Sequence, residues 1–370
     1  MSSHHQYAAM GFSILRRSLE SNPITLETHG ISDAPRSPTF SLSPLSLCVI
    51  ALITFVFAPA FFFIAYTVKS IYTTLAIVEN PIPDAYDAVS SDEIDGSLNV
   101  AAAEITGPAK PITASLRRTY KLLRTVNGWR GNYRGFFLAV FIFIVSAIGT
   151  LVLGAIPFLP PTVASLIVSL ALVQLQAAWV HTVIRANPSD KSIFRGDLPP
   201  FRRTFEATYI PTILLWVANL IVTLVSVAVI RALKLDGFNF GNPSSVPQLT
   251  PAMVWKAIVV FLVAVTLVFT LTFPANVVLI RVQASLLPPD QDTVVPFDRS
   301  FNGTVEPAVL GGRSYVTVKG AFCTLSRASW KRIVVLFIKL HALFFLINVL
   351  YTAAILPVFL LASQKSGPAV

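Results

Sequence analysis

Acidic residues are scarce in this chain: there are 18 Asp and Glu among 370 residues, and none lies in any of its six long apolar runs. Charged residues of both signs make up only 12% of the composition, while 54% is hydrophobic and the mean hydropathy is +0.69. That leaves too little polar surface to coat a water-soluble globule of this length. Cysteine is nearly absent too. Cys48 and Cys323 are too few for a disulfide framework and have no companions at metal-ligand spacing, and both fall at or near ends of apolar runs, where packing is their expected role. A Gly-rich phosphate loop, a nucleophile elbow and a metal-ligand cluster are also missing. The one acid cluster, Asp92, Glu93 and Asp95, lies in a Ser-rich stretch that reads as solvated loop. A membrane enzyme is therefore the least favoured class, and no cofactor is expected.

What is abundant is uninterrupted apolar sequence. Runs from Ser46 to Val78, Phe136 to Leu159, Thr162 to Ile184, Ile210 to Ile230, Val254 to Ile280 and Ile333 to Leu361 each approach or exceed the roughly 20 residues that cross a bilayer as a helix. They predict an all-α polytopic membrane protein with six transmembrane helices. Trp129, Trp179, Trp216, Trp255 and Trp330 fall near the predicted ends, where an amphipathic ring favours the headgroup region. Residues 1–45 are polar, carry no continuous apolar core of a signal peptide, and read as a disordered tail. The membrane domain then covers 46–362, and a short tail covers 363–370.

Lys and Arg set the orientation, because basic loops stay on the side from which a membrane protein is inserted. Loops one, three and five carry nineteen Lys and Arg, from Lys110 to Arg332, whereas the two tails and the intervening loops carry six. Both termini are thus predicted on the face opposite the basic loops. The net charge of +10 follows from the same loops. It points to anionic lipid head groups as partners rather than to nucleic acid.

A pattern finer than the span count runs through the chain. After each odd span it leaves the membrane through a proline-acid segment: Pro81-Ile82-Pro83-Asp84, Asn187-Pro188-Ser189-Asp190 and Leu287-Pro288-Pro289-Asp290. Asp84, Asp190 and Asp290 are spaced by 106 and 100 residues, which divides the domain into three candidate two-helix repeats at 46–159, 162–280 and 285–362. Ahead of each even span stands a basic-aromatic stretch, at Leu116–Tyr120, Phe201–Phe205 and Leu325–Trp330, each a candidate interfacial helix.

Six spans in three such pairs resemble the mitochondrial carriers, and the segment Leu122 to Gly135, with its Tyr133-Arg134-Gly135 triplet, looks like the carrier entry to the second helix. The resemblance implies a bundle of three repeats, long tilted odd helices and transport across a membrane. The chain departs from the carrier pattern where a basic residue should follow each acid by three positions; Asp87, Ile193 and Thr293 stand there, so the ring of ion pairs expected in that family is not encoded. The segments Arg281 to Pro288 and Val295 to Phe301 also resemble fungal multi-span membrane proteins that go by the label ubiquitin carrier protein. Conjugating ubiquitin needs a reactive cysteine in a soluble domain, and neither cysteine here has one.

Polar residues inside the spans are functional suspects by default. They comprise His181, Lys339, His341, Gln174, Gln176, Asn219, Asn276 and Asn348. His181 and Lys339 sit near span ends and are expected to reach water by snorkelling. Asn219 is a candidate pathway or inter-helix residue, as are His341 and Asn348, which share a helix face by their seven-residue spacing. The functional expectation is a carrier-like transporter of unassigned cargo, in the inner mitochondrial membrane or an endomembrane, with a non-transporting membrane adaptor as the alternative. The orientation also makes a prediction. The usable sequon Asn302-Gly303-Thr304 lies on the positive-inside face, so expression with microsomes should give a band that a glycosidase does not shift; a shift would invert the topology.

Overall fold

The computed structural model describes residues 44–80, 111–186, 198–235, 251–305 and 314–365. The N-terminal tail, Asp84, Asp190 and the acids at 92–95 lie outside them. Five helices among the described residues are long and apolar enough to cross a bilayer: α1 (Pro44–Val78), the stretch Leu116–Gly154, α6 (Phe201–Ala232), α7 (Pro251–Ser285) and the first 32 residues of α9 (Arg327–Lys365). The stretch Leu116–Gly154 is interrupted, giving α2 (Leu116–Asn127), a 3-10 turn (Gly128–Tyr133) and α3 (Phe136–Gly154). The expected third span is a bent pair, α4 (Pro161–Ala171) and α5 (Val173–Ile184), meeting at 57°. No Gly or Pro lies between Thr162 and Ile184, so nothing local breaks this helix. The bend instead lets α5 enter the core while α4 stays outside, between α3 and α6.

Three-residue 3-10 and longer π-helical segments depart from the α pattern at definite places. The middle of α1, Phe63–Tyr72, is π-helical, and so is Val268–Thr272 in α7, just before Pro274. Proline 274 cannot donate to the carbonyl four residues back and its ring crowds that carbonyl. Widening the preceding turn relieves the clash, and such π segments recur at functional sites.

The surface helices differ from expectation in one case. α2 is amphipathic, with Thr119 and Leu123 buried and Arg117, Arg118, Lys121 and Arg124 exposed. A second short helix, α8 (Val318–Cys323), precedes α9. Phe201–Phe205, however, is the first turn of the continuous α6, because no residue there interrupts the helix. Trp179 also departs from its predicted interfacial place: it is buried in the core, with its Nε1–H on the Tyr66 hydroxyl at 3.3 Å. Cys48 and Cys323 are both exposed rather than packed.

Packing is concentrated at one end of the molecule. The C-terminal ends of α1, α5 and α7 pack against one another and against the start of α9. Ile71, Leu75, Ile77, Val173, Val183, Val277 and Ile333 are fully enclosed there. The opposite halves, Pro44–Phe62 of α1 and Pro251–Leu267 of α7, contribute no buried residue. All three packed ends lead into the basic loops, so the enclosed core lies at the basic face, while Pro44–Phe62 rests on α9 and Pro251–Leu267 on α6 without burying a residue.

The turn after α2 is held to α1 by two backbone carbonyls and one side-chain amide oxygen. Thr67 Oγ1 donates to Asn132 O at 2.8 Å, Tyr66 OH to Arg134 O at 2.5 Å, and Tyr72 OH to Asn132 Oδ1 at 3.0 Å. Gly131 allows the turn to close on α2, since a Cβ there would stand 2.0 Å from Leu123 O. Gly131→Ala should therefore lower thermal stability in detergent by about 1–3 kcal/mol, the usual range for forced overpacking. The equivalent change at the open Gly303 site, Gly303→Asn, should be mild.

Candidate functional site

The basic face is sealed by buried charge. Glu79, the first residue after α1, is 3% exposed, and Arg332 Nη1 meets its carboxylate at 2.9 Å. The second carboxylate oxygen accepts the Ile112 N–H at 2.6 Å, and Thr113 donates both its N–H and its hydroxyl. Arg332 Nη2 donates to Ala76 O at 3.1 Å and Glu79 O at 2.8 Å. One ion pair thus joins the end of α1, the turn 112–114 and the start of α9. The acid of this pair, Glu79, precedes the proline-acid segment Pro81-Ile82-Pro83-Asp84 in the sequence.

Two further guanidiniums work in the same layer. Arg134 Nη2 donates to Ala186 O at 2.8 Å, beyond the last turn of α5. Arg281 reaches Thr324 Oγ1 at 2.9 Å and Ile77 O at 3.5 Å, with its guanidinium 4.9 Å from the Phe301 ring. Cations at helix C-termini satisfy carbonyls that have no partner within the helix and oppose the negative end of the dipole. The segment 292–296 then straps the ends of α5 and α1: Ala186 N–H donates to Asp292 O at 2.7 Å, Val294 N–H to Ile184 O at 2.8 Å, and Asn80 N–H to Pro296 O at 2.8 Å. His181, placed by sequence at a wet span end, is 3% exposed and donates from Nε2 to Gln283 O at 2.9 Å. The convergence of α5 and α7 removes the water that snorkelling would need.

Beside this layer lies a small cavity of about 60 Å³ lined by Glu79, Asn80, Arg281, Asp298, Asn302 and Ser326, among others. Burial opposes charge on Asp298. Hydrogen bonds from the Ser300 hydroxyl at 2.6 Å and from the Asn302 and Ser300 N–H groups, with Arg281 nearby, outweigh it and hold the carboxyl pKa below its ordinary value. Asp298 thereby fixes the turn 298–302 against the guanidinium of Arg281. Asp290, the described member of the three turn acids, is exposed and takes no part in the seal.

The intramembrane candidates lie one level deeper. Asn219 Oδ1 accepts from Thr272 Oγ1 at 3.2 Å, tying α6 to the π segment of α7. His341 donates from Nδ1 to Phe337 O at 2.8 Å, and Asn348 donates from Nδ2 to Phe344 O at 2.7 Å. Asn219 therefore bridges helices, while His341 and Asn348 bond within their own. Lys69 is the residue that sequence reading passed over, because a single lysine hardly lowers the hydropathy of so long a run. It sits in the π segment of α1 with Nζ 5.9 Å from the Phe344 ring. Lys69 is ten residues before Glu79 and His341 nine after Arg332. Measured from the paired Glu79 and Arg332, both stand roughly 14 Å up their antiparallel helices at about 1.5 Å per residue.

Arg332→Ala should destabilise the protein strongly, by about 3–5 kcal/mol, because it strands a buried carboxylate. The paired replacement Glu79→Leu with Arg332→Met should cost much less, and thermal unfolding in detergent reads the difference. Equal losses in both variants would mean that the pair is not the element holding these ends together.

No family model, curated protein or solved structure matches the chain, so the geometry just described carries the functional argument by itself.

Proposed function

We propose that this chain is a carrier-like membrane transporter whose form seen here is closed at the basic face and open toward the face that bears the termini. The observation that supports this reading is the polarised packing. The ends of α1, α5 and α7 converge and are sealed by Glu79, Arg332, Arg134 and Arg281, while Pro44–Phe62 and Pro251–Leu267 contribute no buried residue. A purely structural bundle gains most by packing its helices along their full length. In this reading the helix halves without buried residues are the ones that part, which would give the polar groups within the spans access from one side only. Such an arrangement, with a seal made of a breakable ion pair, matches alternating access around a fixed central site.

Three-fold organisation remains part of the proposal. It draws support from the shared placement of the three odd ends and from the short helices α2 and α8 ahead of α3 and α9. A non-transporting adaptor would instead present the exposed Arg117, Arg118, Lys121 and Arg124 of α2 to a partner and need no opening at all.

Accessibility separates the two. In a variant with Cys48→Ser and Cys323→Ser, a single cysteine at Asn348 should react with a membrane-impermeant thiol reagent added from the terminus side and resist it from the other. Uptake into liposomes should accompany that labelling. Protection of the Asn348 position from both sides, together with no uptake of any solute tested, would remove the transporter reading and leave the adaptor.

A further inference from the structure

Beside the seal a groove of about 320 Å³ runs along α9, with Ala114 of the turn 112–114 as its other wall. We propose that this groove binds one anionic phospholipid, its phosphate held by Lys331 and Lys339 and the start of an acyl chain laid over Val335 and Leu336. The site goes beyond the transporter reading and does not depend on it.

Two adjacent rows of α9 make the groove. Lys331, Val335 and Lys339 follow one another at intervals of four residues, and so do Ala328, Arg332 and Leu336, so each row lies along one face of the helix. Ala114 and Ala328 leave room that longer side chains would fill. Lys331, Val335 and Lys339 are exposed while Leu336 is buried, which makes an open trough with an apolar floor. Arg332 closes its inner side, where Glu79 matches the charge. Lys331 and Lys339, by contrast, make no ion pair or hydrogen bond among the described residues. None of the groove residues is acidic, and neither α2 nor α9 carries an acid. Two cations thus border an apolar trough without a counter-charge.

The levels of the two lysines select a lipid over a soluble anion. Lys331 precedes the paired Arg332 by one residue, whereas Lys339 stands seven beyond it, roughly 10 Å further along α9 at about 1.5 Å per residue. Lys339 therefore lies within the apolar span Arg327–Val358. Side chains on a helix lean toward its N-terminus, which for α9 is the basic face, so the Lys339 stem runs back along the groove toward Lys331. A phosphate between the two ammoniums takes charge-assisted hydrogen bonds from both, and basic pockets of this kind suit anionic head groups. The volume takes a head group and the first part of one chain, with the rest of the lipid in the bilayer beside the exposed Val335 and Ile338. A free phosphate would leave the apolar floor uncovered. An acidic peptide would have to carry unpaired backbone into hydrocarbon to reach Lys339.

The test is native mass spectrometry of the full-length protein in detergent, with thermal unfolding in parallel. Dioleoyl phosphatidylglycerol and dioleoyl phosphatidic acid are the probes; dioleoyl phosphatidylcholine, inorganic phosphate and glycerophosphate are the controls. The anionic lipids should be retained as a single adduct under conditions that strip phosphatidylcholine, and should raise the thermal midpoint. Apparent affinity should fall roughly tenfold or more in Lys331→Gln with Lys339→Gln and stay within about threefold when both become Arg, as expected for loss or retention of charge-assisted contacts. Ala328→Leu keeps every charge but fills the groove, so it should lose the adduct as well. Arg117→Gln with Arg118→Gln, on the exposed face of α2, should leave it unchanged. Lys331, Lys339 and Ala328 are all exposed, so these changes leave the core intact. Equal retention of phosphatidylcholine, or an adduct indifferent to the lysine pair and to Ala328→Leu, would overturn the site. Equal weakening by the α2 variant would replace it with diffuse attraction to a basic surface. Stabilisation by inorganic phosphate or glycerophosphate as strong as by the lipids would make it a soluble-anion site and overturn the lipid assignment.

Discussion

The ion pair between Glu79 and Arg332 is the constraint on which the remaining architecture depends. It is buried, so each partner bears a desolvation cost that only the other, with several hydrogen bonds, offsets. The carboxylate meets that requirement with Arg332, Ile112 and Thr113, and the guanidinium with Ala76 and Glu79 carbonyls besides the carboxylate. Because the contacts reach α1, the turn before α2 and the start of α9, separating any one of them strands a charge. Arg134 and Arg281 extend the same logic to the ends of α5 and α1. Buried cations here serve as helix caps, and the caps bring the ends of three helices into one layer.

Fixing the helix ends at one face concentrates the enclosed core there. Pro44–Phe62 packs on α9 and Pro251–Leu267 on α6 without burying a residue, while the last turns of the same helices are fully enclosed. Away from that core the helices meet through aromatic contacts, as Phe57 and Phe61 do with Tyr351. Polar groups within the spans bond across helices, as Asn219 does with Thr272, or within their own, as His341 does with Phe337.

Much of the fold was legible because hydrophobic length is a one-dimensional property. The boundaries of α1, α3, α6, α7 and α9 follow the apolar runs, and α2 follows its basic-amphipathic pattern. The errors share a cause. Trp179 and His181 were placed at a wet boundary from their position near Ile184, yet the ends of α5 and α7 meet there and exclude water. The bend at Leu172 has no local signal, since it serves packing elsewhere. Glu79 was passed over in favour of Asp84 and Asp290, which carry the more recognisable proline-acid context; burial, rather than motif, picks out the acid that closes the seal. Lys69 was hidden by the very hydropathy that located its span.

The sequence by itself determined that this chain carries helices apolar enough to enter a membrane, about how many, which loops are basic and roughly where most of the helices run, because those properties are sums over neighbouring residues. Only the tertiary structure decided which acid pairs with which base, which helix bends, which end of the bundle holds the enclosed core and which polar side chains bond across helices. Those are matters of contact between residues as far apart as Glu79 and Arg332, 253 positions along the chain. In a bilayer, hydrophobicity drives every span inward alike and cannot choose between neighbours. The choice falls to the few buried polar groups, whose partners no single stretch of sequence contains.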